Sequence, residues 1–123
     1  MAEQLLANCR ILIVEDEYML ADELRMELEG AGAFIVGPAA TVADGAALIE
    51  AEPHLHAAVL DANLGGDMVF PVADMLTARQ VPFLFTTGYD DLAFPRRFSA
   101  AIRCEKPINM AKVTVAIARL IHA

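Results

Sequence analysis

Cysteine is nearly missing from this chain: only Cys9 and Cys104 occur in 123 residues. Two cysteines cannot make the disulfide framework of a small secreted domain, and neither has a Cys or His neighbour at the spacing of a structural zinc site. Long apolar runs are missing as well. None approaches the roughly 18 residues that a membrane span needs. Residues 1–8 lack a basic stretch followed by an apolar segment, so no secretory signal is expected. Basic residues are scarce, with 9 Lys and Arg against 17 Asp and Glu, a net charge of −8. Such a surface repels a phosphate backbone and excludes nucleic acid as an expected partner. The expectation is a cytoplasmic protein with no membrane contact.

Low-complexity tracts, repeats and linkers are also absent, and a hydrophobic content of 57% excludes disorder. The length suits one hydrophobic core, so residues 1–123 are expected to form a single domain with no room for an output domain. His54 and His56 fall in a loop and His122 at the terminus, which suits solvated surface residues. Met19, Met26, Met68, Met75 and Met110 read as gap-filling or partner-facing side chains rather than a cofactor site.

What remains is a regular alternation. Arg10-Ile11-Leu12-Ile13-Val14 is a short, nearly unbroken apolar run, the pattern of a strand covered on both faces. Residues 17–29 place Leu20, Leu24 and Leu28 four apart with acidic residues between, an amphipathic helix expected to stop at Gly30. A second strand is expected over 33–37. Thr41 with Asp44 three residues on is a capping pattern for a helix to about Ala51. Ala57-Ala58-Val59-Leu60-Asp61 reads as the third strand, followed by the Gly-rich turn Leu64-Gly65-Gly66. A third helix is expected over 68–79, with Pro71 tolerable only in its first turn. The fourth strand is expected over 82–87 and the fifth over 100–104. Met110, Val113, Ile117, Leu120 and Ile121 mark the core face of a final helix. Between Gly88 and Ser99 helical periodicity is weak and Pro95 interrupts it, so the fourth crossover is expected to be short or irregular. Alternating strands and helices imply right-handed crossovers and a doubly wound α/β fold with a parallel sheet.

In open α/β sheets ligands bind beyond the carboxyl ends of the strands. Those ends carry Glu15-Asp16, Asp61, Thr87 and Glu105-Lys106-Pro107. The carboxylates of Glu15, Asp16 and Asp61, the Thr87 hydroxyl and the Lys106 ammonium are therefore expected to converge on one edge. Any one of them alone would read as a turn-capping or solvated residue; the register of all four strand ends makes a site. Packed carboxylates repel unless a cation sits among them, and Mg²⁺ takes oxygen ligands while keeping several waters. Lys106 is a point charge for a phosphoryl oxygen, and Thr87 a neutral donor. Phosphoryl transfer needs mainly positioning and charge neutralisation, which these groups supply. Of the adjacent threonines, Thr87 is preferred over Thr86 because Gly88 follows it directly.

Glu15-Asp16 after Ile-Leu-Ile-Val, Asp61 after Ala-Val-Leu, Thr87-Gly88 and Lys106-Pro107 together resemble the signature of two-component response regulator receiver domains. The likeness spans essentially the whole chain. It implies a flavodoxin-like sheet of order 2-1-3-4-5 and Asp61 as phosphoacceptor. It further implies Mg²⁺ on Glu15, Asp16 and Asp61 with the backbone carbonyl of Asn63, and a phosphoryl contact for Lys106 and Thr87. A cis Lys106–Pro107 bond is also implied. Partners would be a histidine kinase or histidine phosphotransferase, meeting the first helix, and a downstream protein, meeting residues 90–98 and the last helix. Where receivers often carry a switching aromatic, three places before the lysine, this chain has Arg103. Phe85-Thr86-Thr87-Gly88-Tyr89 is similar to the Phe-Ala-Thr-Gly-x-Tyr subgroup, which lacks that aromatic and has an irregular fourth helix, so Tyr89 is the expected reporter. In the implied strand order Cys9 and Cys104 lie three strand spacings, roughly 14 Å, apart, beyond the about 7 Å a disulfide allows.

Three rival readings are weaker. A dehalogenase-like hydrolase needs a second acid two residues after its nucleophilic Asp, and Asn63 stands there. A flavodoxin-like flavin carrier needs a phosphate loop after the first strand, where Glu15-Asp16-Glu17 would repel the phosphate. A receiver fold acting as a phosphorylation-independent scaffold has no need of the acidic and lysine set.

Overall fold

The apolar run at the start of the sheet is β1, Arg10–Val14, in which Ile11, Leu12, Ile13 and Val14 are each 0% exposed. In this computed structural model, which describes residues 4–88 and 93–123, the remaining elements follow in the expected alternation. They are α1 (Tyr18–Gly30), β2 (Phe34–Ala39), α2 (Val42–Ala51), β3 (Ala57–Asp61), α3 (Phe70–Ala78), β4 (Phe83–Thr87), β5 (Arg103–Glu105) and α4 (Met110–Ile121). The five strands are parallel in the order β2-β1-β3-β4-β5. That is the doubly wound, flavodoxin-like topology.

Alternate residues of each strand feed two separate cores, because successive strand side chains point to opposite faces. Leu12, Val14, Leu60 and Phe85 pack with Ile49 of α2 and Val72 and Leu76 of α3. Ile11, Ile13, Val59 and Leu84 pack with Leu24 and Leu28 of α1 and Val113 and Ile117 of α4. β3 lies in the middle of the sheet and is buried at all five positions. Thr41 caps α2 as its sequence suggested, its Oγ1 accepting the Asp44 N–H at 3.0 Å. Pro71 sits in the first turn of α3, where its missing N–H costs nothing. Cys9 and Cys104 are both free thiols. Among the described residues no helix is long and apolar enough to cross a membrane.

Four boundaries differ from the sequence reading. α1 ends at Gly30, but the residue that turns the chain is Gly32, at φ +102°. The Ala33 N–H bonds the Leu28 carbonyl and the Gly32 N–H the Glu29 carbonyl, the paired bonds of a Schellman stop. β2 runs on through a cis Gly37–Pro38 bond to Ala39. α3 starts at Phe70 rather than Met68 because Asn63–Leu64 and Asp67–Met68 pair antiparallel across Gly65 and Gly66. Both glycines have positive φ, as a tight primed turn requires. β5 begins at Arg103, not Ala100, since Ser99 and Ala101 donate into the short 3₁₀ turn Arg96–Phe98 instead of into the sheet.

That 3₁₀ turn is the only regular piece among the described residues between β4 and β5, so the described part of the fourth crossover, from residue 93 on, is irregular as expected. It is held down by aromatic packing. Phe94 and Phe98 join Phe70, Phe83 and Phe85 in one cluster, with ring centroids 4.9–5.9 Å apart. Arg103 lies over the Phe94 ring at 3.8 Å, and Arg97 forks onto Asp74 of α3 at 2.8 and 2.9 Å.

The two glycines at the end of α1 should respond oppositely to alanine. A Cβ on Gly32 would lie 2.7 Å from Gln4 Oε1 and 2.9 Å from the Ala7 backbone, on top of the unfavourable φ. Gly32→Ala should cost about 1–3 kcal/mol. A Cβ on Gly30 meets nothing within 4 Å, so Gly30→Ala should be neutral or stabilising by up to about 1 kcal/mol. Thermal and urea unfolding of the two variants separates these outcomes.

Candidate functional site

The carboxyl edge of the sheet is fixed by backbone bonds before any side chain contributes. The Glu15 N–H donates to the Ala39 carbonyl at 2.8 Å, tying the end of β1 to β2. The Lys106 N–H donates to the Thr87 carbonyl at 2.8 Å, tying the end of β5 to β4. The Ala62 N–H donates to Thr86, holding the end of β3 to β4. Side chains leaving these ends must meet in the crevice above the sheet.

They do. Lys106 Nζ lies 3.2 Å from Asp61 Oδ2 and 3.2 Å from Glu15 Oε1. Both carboxylates are 2% exposed, while Lys106 is half-buried. Asp61 Oδ1 accepts the Asn63 N–H at 3.2 Å, and Glu15 Oε2 accepts the Glu17 N–H at 3.0 Å. Among the described residues Glu15 Oε1 has no partner beyond its ion pair with Lys106. Exposed Asp16 completes the cluster, and one oxygen from each of Glu15, Asp16 and Asp61 lies within 4.8 Å of the others. Three carboxylate oxygens this close form a ligand set suited to a hard divalent cation.

One ammonium cannot neutralise two buried carboxylates. Burial pushes the Asp61 carboxyl up to about 8, and the hydrogen bond and negative charge of Glu15 push in the same direction. The Asn63 N–H works against this. For Lys106, burial opposes the charged form, but the charges of Asp61 and Glu15 outweigh it and raise the pKa. The lysine thus stays protonated and the acid pair carries the frustration.

Of the expected residues, Glu15, Asp16, Asp61 and Lys106 come together. Thr87 closes β4 and is 5% exposed, with its carbonyl engaged by Lys106. Asn63 contributes its N–H to Asp61, and its side-chain oxygen accepts the Gly66 N–H at 2.7 Å, which shapes the hairpin beside Asp16. Tyr89 lies outside the described residues. Two features escaped the sequence reading. Glu17 Oε2 is 3.7 Å from Lys106 Nζ, and Thr86, which pairs in register with Asp61, has a fully buried hydroxyl without a hydrogen-bond partner among the described residues. The only signal for the first was an acidic residue at a helix start, which helix electrostatics explains equally well.

A carboxyl whose pKa is raised on folding binds more protons in the native state than in the unfolded chain, where it titrates at roughly 4. Stability must therefore fall as pH rises from about 4 to about 8. In EDTA, Asp61→Asn should be more stable than wild type by about 1–3 kcal/mol at pH 8, roughly 4–10 °C in Tm. The gap should narrow towards pH 5, and Mg²⁺ should raise the Tm of the wild type more than that of the variant. Differential scanning fluorimetry across pH, with and without Mg²⁺, checks all three.

No protein-family model matches the chain, and no curated protein does. Solved structures do. SdrG from Sphingomonas melonis Fr1 is 41% identical over 93% of this chain and 97% of its own, with a TM-score of 0.81. The BeF3-activated conformation of SdrG matches at 38% identity over 98% of this chain and 99% of that one, TM-score 0.74. A response regulator receiver protein from Sinorhizobium medicae WSM419 shares only 19% identity but the same fold, covering 94% of this chain and 96% of its own, TM-score 0.81. With its sheet order, its acidic edge facing Lys106 and this degree of identity to SdrG, the chain belongs to the response regulator receiver family.

Proposed function

We propose that the chain is a single-domain, cytoplasmic phosphoacceptor that takes a phosphoryl group onto Asp61 from a phosphohistidine and relays the event by changing shape. The observation that supports this reading best is Lys106 Nζ at 3.2 Å from both Asp61 and Glu15, with Asp16 closing the acidic cluster. A structural ion pair would need one carboxylate, not three.

Glu15, Asp16 and Asp61, with the carbonyl of Asn63, are the residues that would hold Mg²⁺. When bound, Mg²⁺ neutralises the carboxylate surplus and the charge of the transferred group. Asp61 supplies an oxygen nucleophile. Its new O–P bond forms as the donor's P–N bond breaks, and the released imidazole takes up a proton. Lys106 neutralises a phosphoryl oxygen, and backbone N–H groups of the turn after Asp61 and the Thr87 hydroxyl offer neutral donors. Hydrolysis returns the aspartate, with water attacking phosphorus. The protein assists its own modification and is not an enzyme acting on other substrates.

The expected kinase or phosphotransferase surface is α1, where Tyr18 and Met19 are 83% and 76% exposed. A groove of about 410 Å³ runs from Lys106 between Met19 and Leu20 on one side and Ile108 and Met110 on the other. Output is assigned to residues 90–98, of which 90–92 lie outside the described residues, with α4. There the Arg103–Phe94 stack and the Phe70–Phe85–Phe98 contacts couple the crossover to the strand that ends in Thr87. The existence of a BeF3-activated conformation of SdrG agrees with a receiver that changes shape in response to a phosphoryl mimic.

With Mg²⁺ and acetyl phosphate the wild type should give a retarded band on a phosphate-affinity gel. Asp61→Ala should give none, EDTA should abolish the band, and Lys106→Ala should slow its appearance on the order of 100-fold. A chain that binds partners yet is never modified, by acetyl phosphate or a phosphorylated histidine phosphotransferase, would instead be a scaffold.

A further inference from the structure

The start of α1 breaks a local rule. Ser, Thr, Asp or Asn at an N-cap ordinarily turns its side-chain oxygen onto the helix's free N–H groups. Glu17 holds that position and makes no such bond. Its backbone N–H is pinned by Glu15 Oε2 at 3.0 Å, and its carboxylate points to Lys106, Oε2 to Nζ 3.7 Å. A departure from local helix chemistry with no structural gain is the kind of conflict that marks function.

Lys106 has three carboxylate neighbours, and they are not equivalent. Glu15 and Asp61 belong to the cluster with cation-ligand spacing. Glu17 lies outside that cluster, 66% exposed against 1% and 2% for the other two side chains. Once the buried pair is committed to a cation, Glu17 is the carboxylate still free to hold the ammonium. We propose that Glu17 is a positioning residue that competes with the phosphoryl group for Lys106, and so sets how readily the site accepts an anionic phosphodonor. This rests on the phosphoacceptor reading of Asp61. The lysine must loosen from Glu17 to meet a phosphoryl oxygen, and the same carboxylate repels the approaching dianion. Water screens an exposed pair, so the effect is several-fold and not orders of magnitude.

The test is the acetyl phosphate dependence of phosphorylation in saturating Mg²⁺. Glu17→Gln should lower the half-saturating donor concentration about two- to fivefold. Glu17→Asp keeps the charge and should stay within about twofold of wild type. A purely capping role would improve in Glu17→Asp, visible as a higher Tm, without moving donor saturation in Glu17→Gln. Equal half-saturation in wild type and Glu17→Gln overturns the proposal, and so does an equal drop in both variants. A wild type unmodified by acetyl phosphate and by a phosphorylated histidine phosphotransferase would overturn the phosphoacceptor reading as well, whereas a modified wild type with an unresponsive Glu17→Gln overturns this one alone.

Discussion

Two carboxylates buried against one ammonium at the carboxyl edge of the sheet are the constraint around which the rest of the molecule is arranged. Asp61 and Glu15 are almost wholly removed from water, and Lys106 can satisfy the charge of only one. Burying a surplus charge is costly unless something compensates. The compensation lies in the two cores. One joins α2 and α3 to one face of the sheet, the other joins α1 and α4 to its opposite face, and β3 is sandwiched between them. Stability comes from the apolar layers, and the edge is left electrostatically unsatisfied at the place where a ligand can approach.

Precision at that edge is a matter of backbone. The strand ends are locked by single hydrogen bonds, Glu15 to Ala39, Ala62 to Thr86 and Lys106 to Thr87, all between 2.8 and 3.0 Å. Side chains held on such rigid termini reach a common point without a long loop to order. The irregular crossover is built by contrast from side chains. Five phenylalanines and the Arg103 guanidinium hold its described part against the sheet. Aromatic contacts can re-pack, whereas a ladder bond is made or broken. On the proposed function, that contrast places a fixed chemical edge next to an adjustable face.

The sequence was readable where one physical rule acted without competition. β1 and β3 match their expected limits because a strand covered on both faces must be apolar throughout, and its last polar residue marks its end. The acidic part of the candidate site was readable for the same reason, since Glu15-Asp16 and Asp61 stand where the apolar runs of β1 and β3 stop. Boundaries failed where two rules met. Gly30 looked like the stop of α1, but the next glycine, Gly32, has the left-handed φ. Met68 fits a helical apolar pattern, yet Gly65-Gly66 first folds it back onto Asn63. The fifth strand was placed early because Ala100, Ala101 and Ile102 look strand-like, while the preceding 3₁₀ turn takes the bonds of Ser99 and Ala101. Thr86 yields to Thr87 in the sequence because Gly88 follows Thr87 directly, and only its burial beside Asp61 without a partner among the described residues sets it apart. Glu17 was missed since acidic residues are at home at helix starts.

These cases share a cause. A sequence pattern reports which face of an element is apolar, but not which of two polar partners a side chain chooses. Glu17 could have bonded its own helix and instead leans towards Lys106; Asn63 could have faced solvent and instead braces the hairpin through Gly66. Choices of that kind depend on the local balance of charge, and here the balance is set by the buried pair. Two negative groups around one positive one draw three donors inward: the Asn63 N–H to Asp61, the Glu17 N–H to Glu15, and the Lys106 ammonium to both. Even with all three engaged, the Asp61 carboxyl remains pushed up to about 8. One ammonium shared by two buried carboxylates leaves the edge short of positive charge, which is the physical reason that a cation belongs to the proposed chemistry.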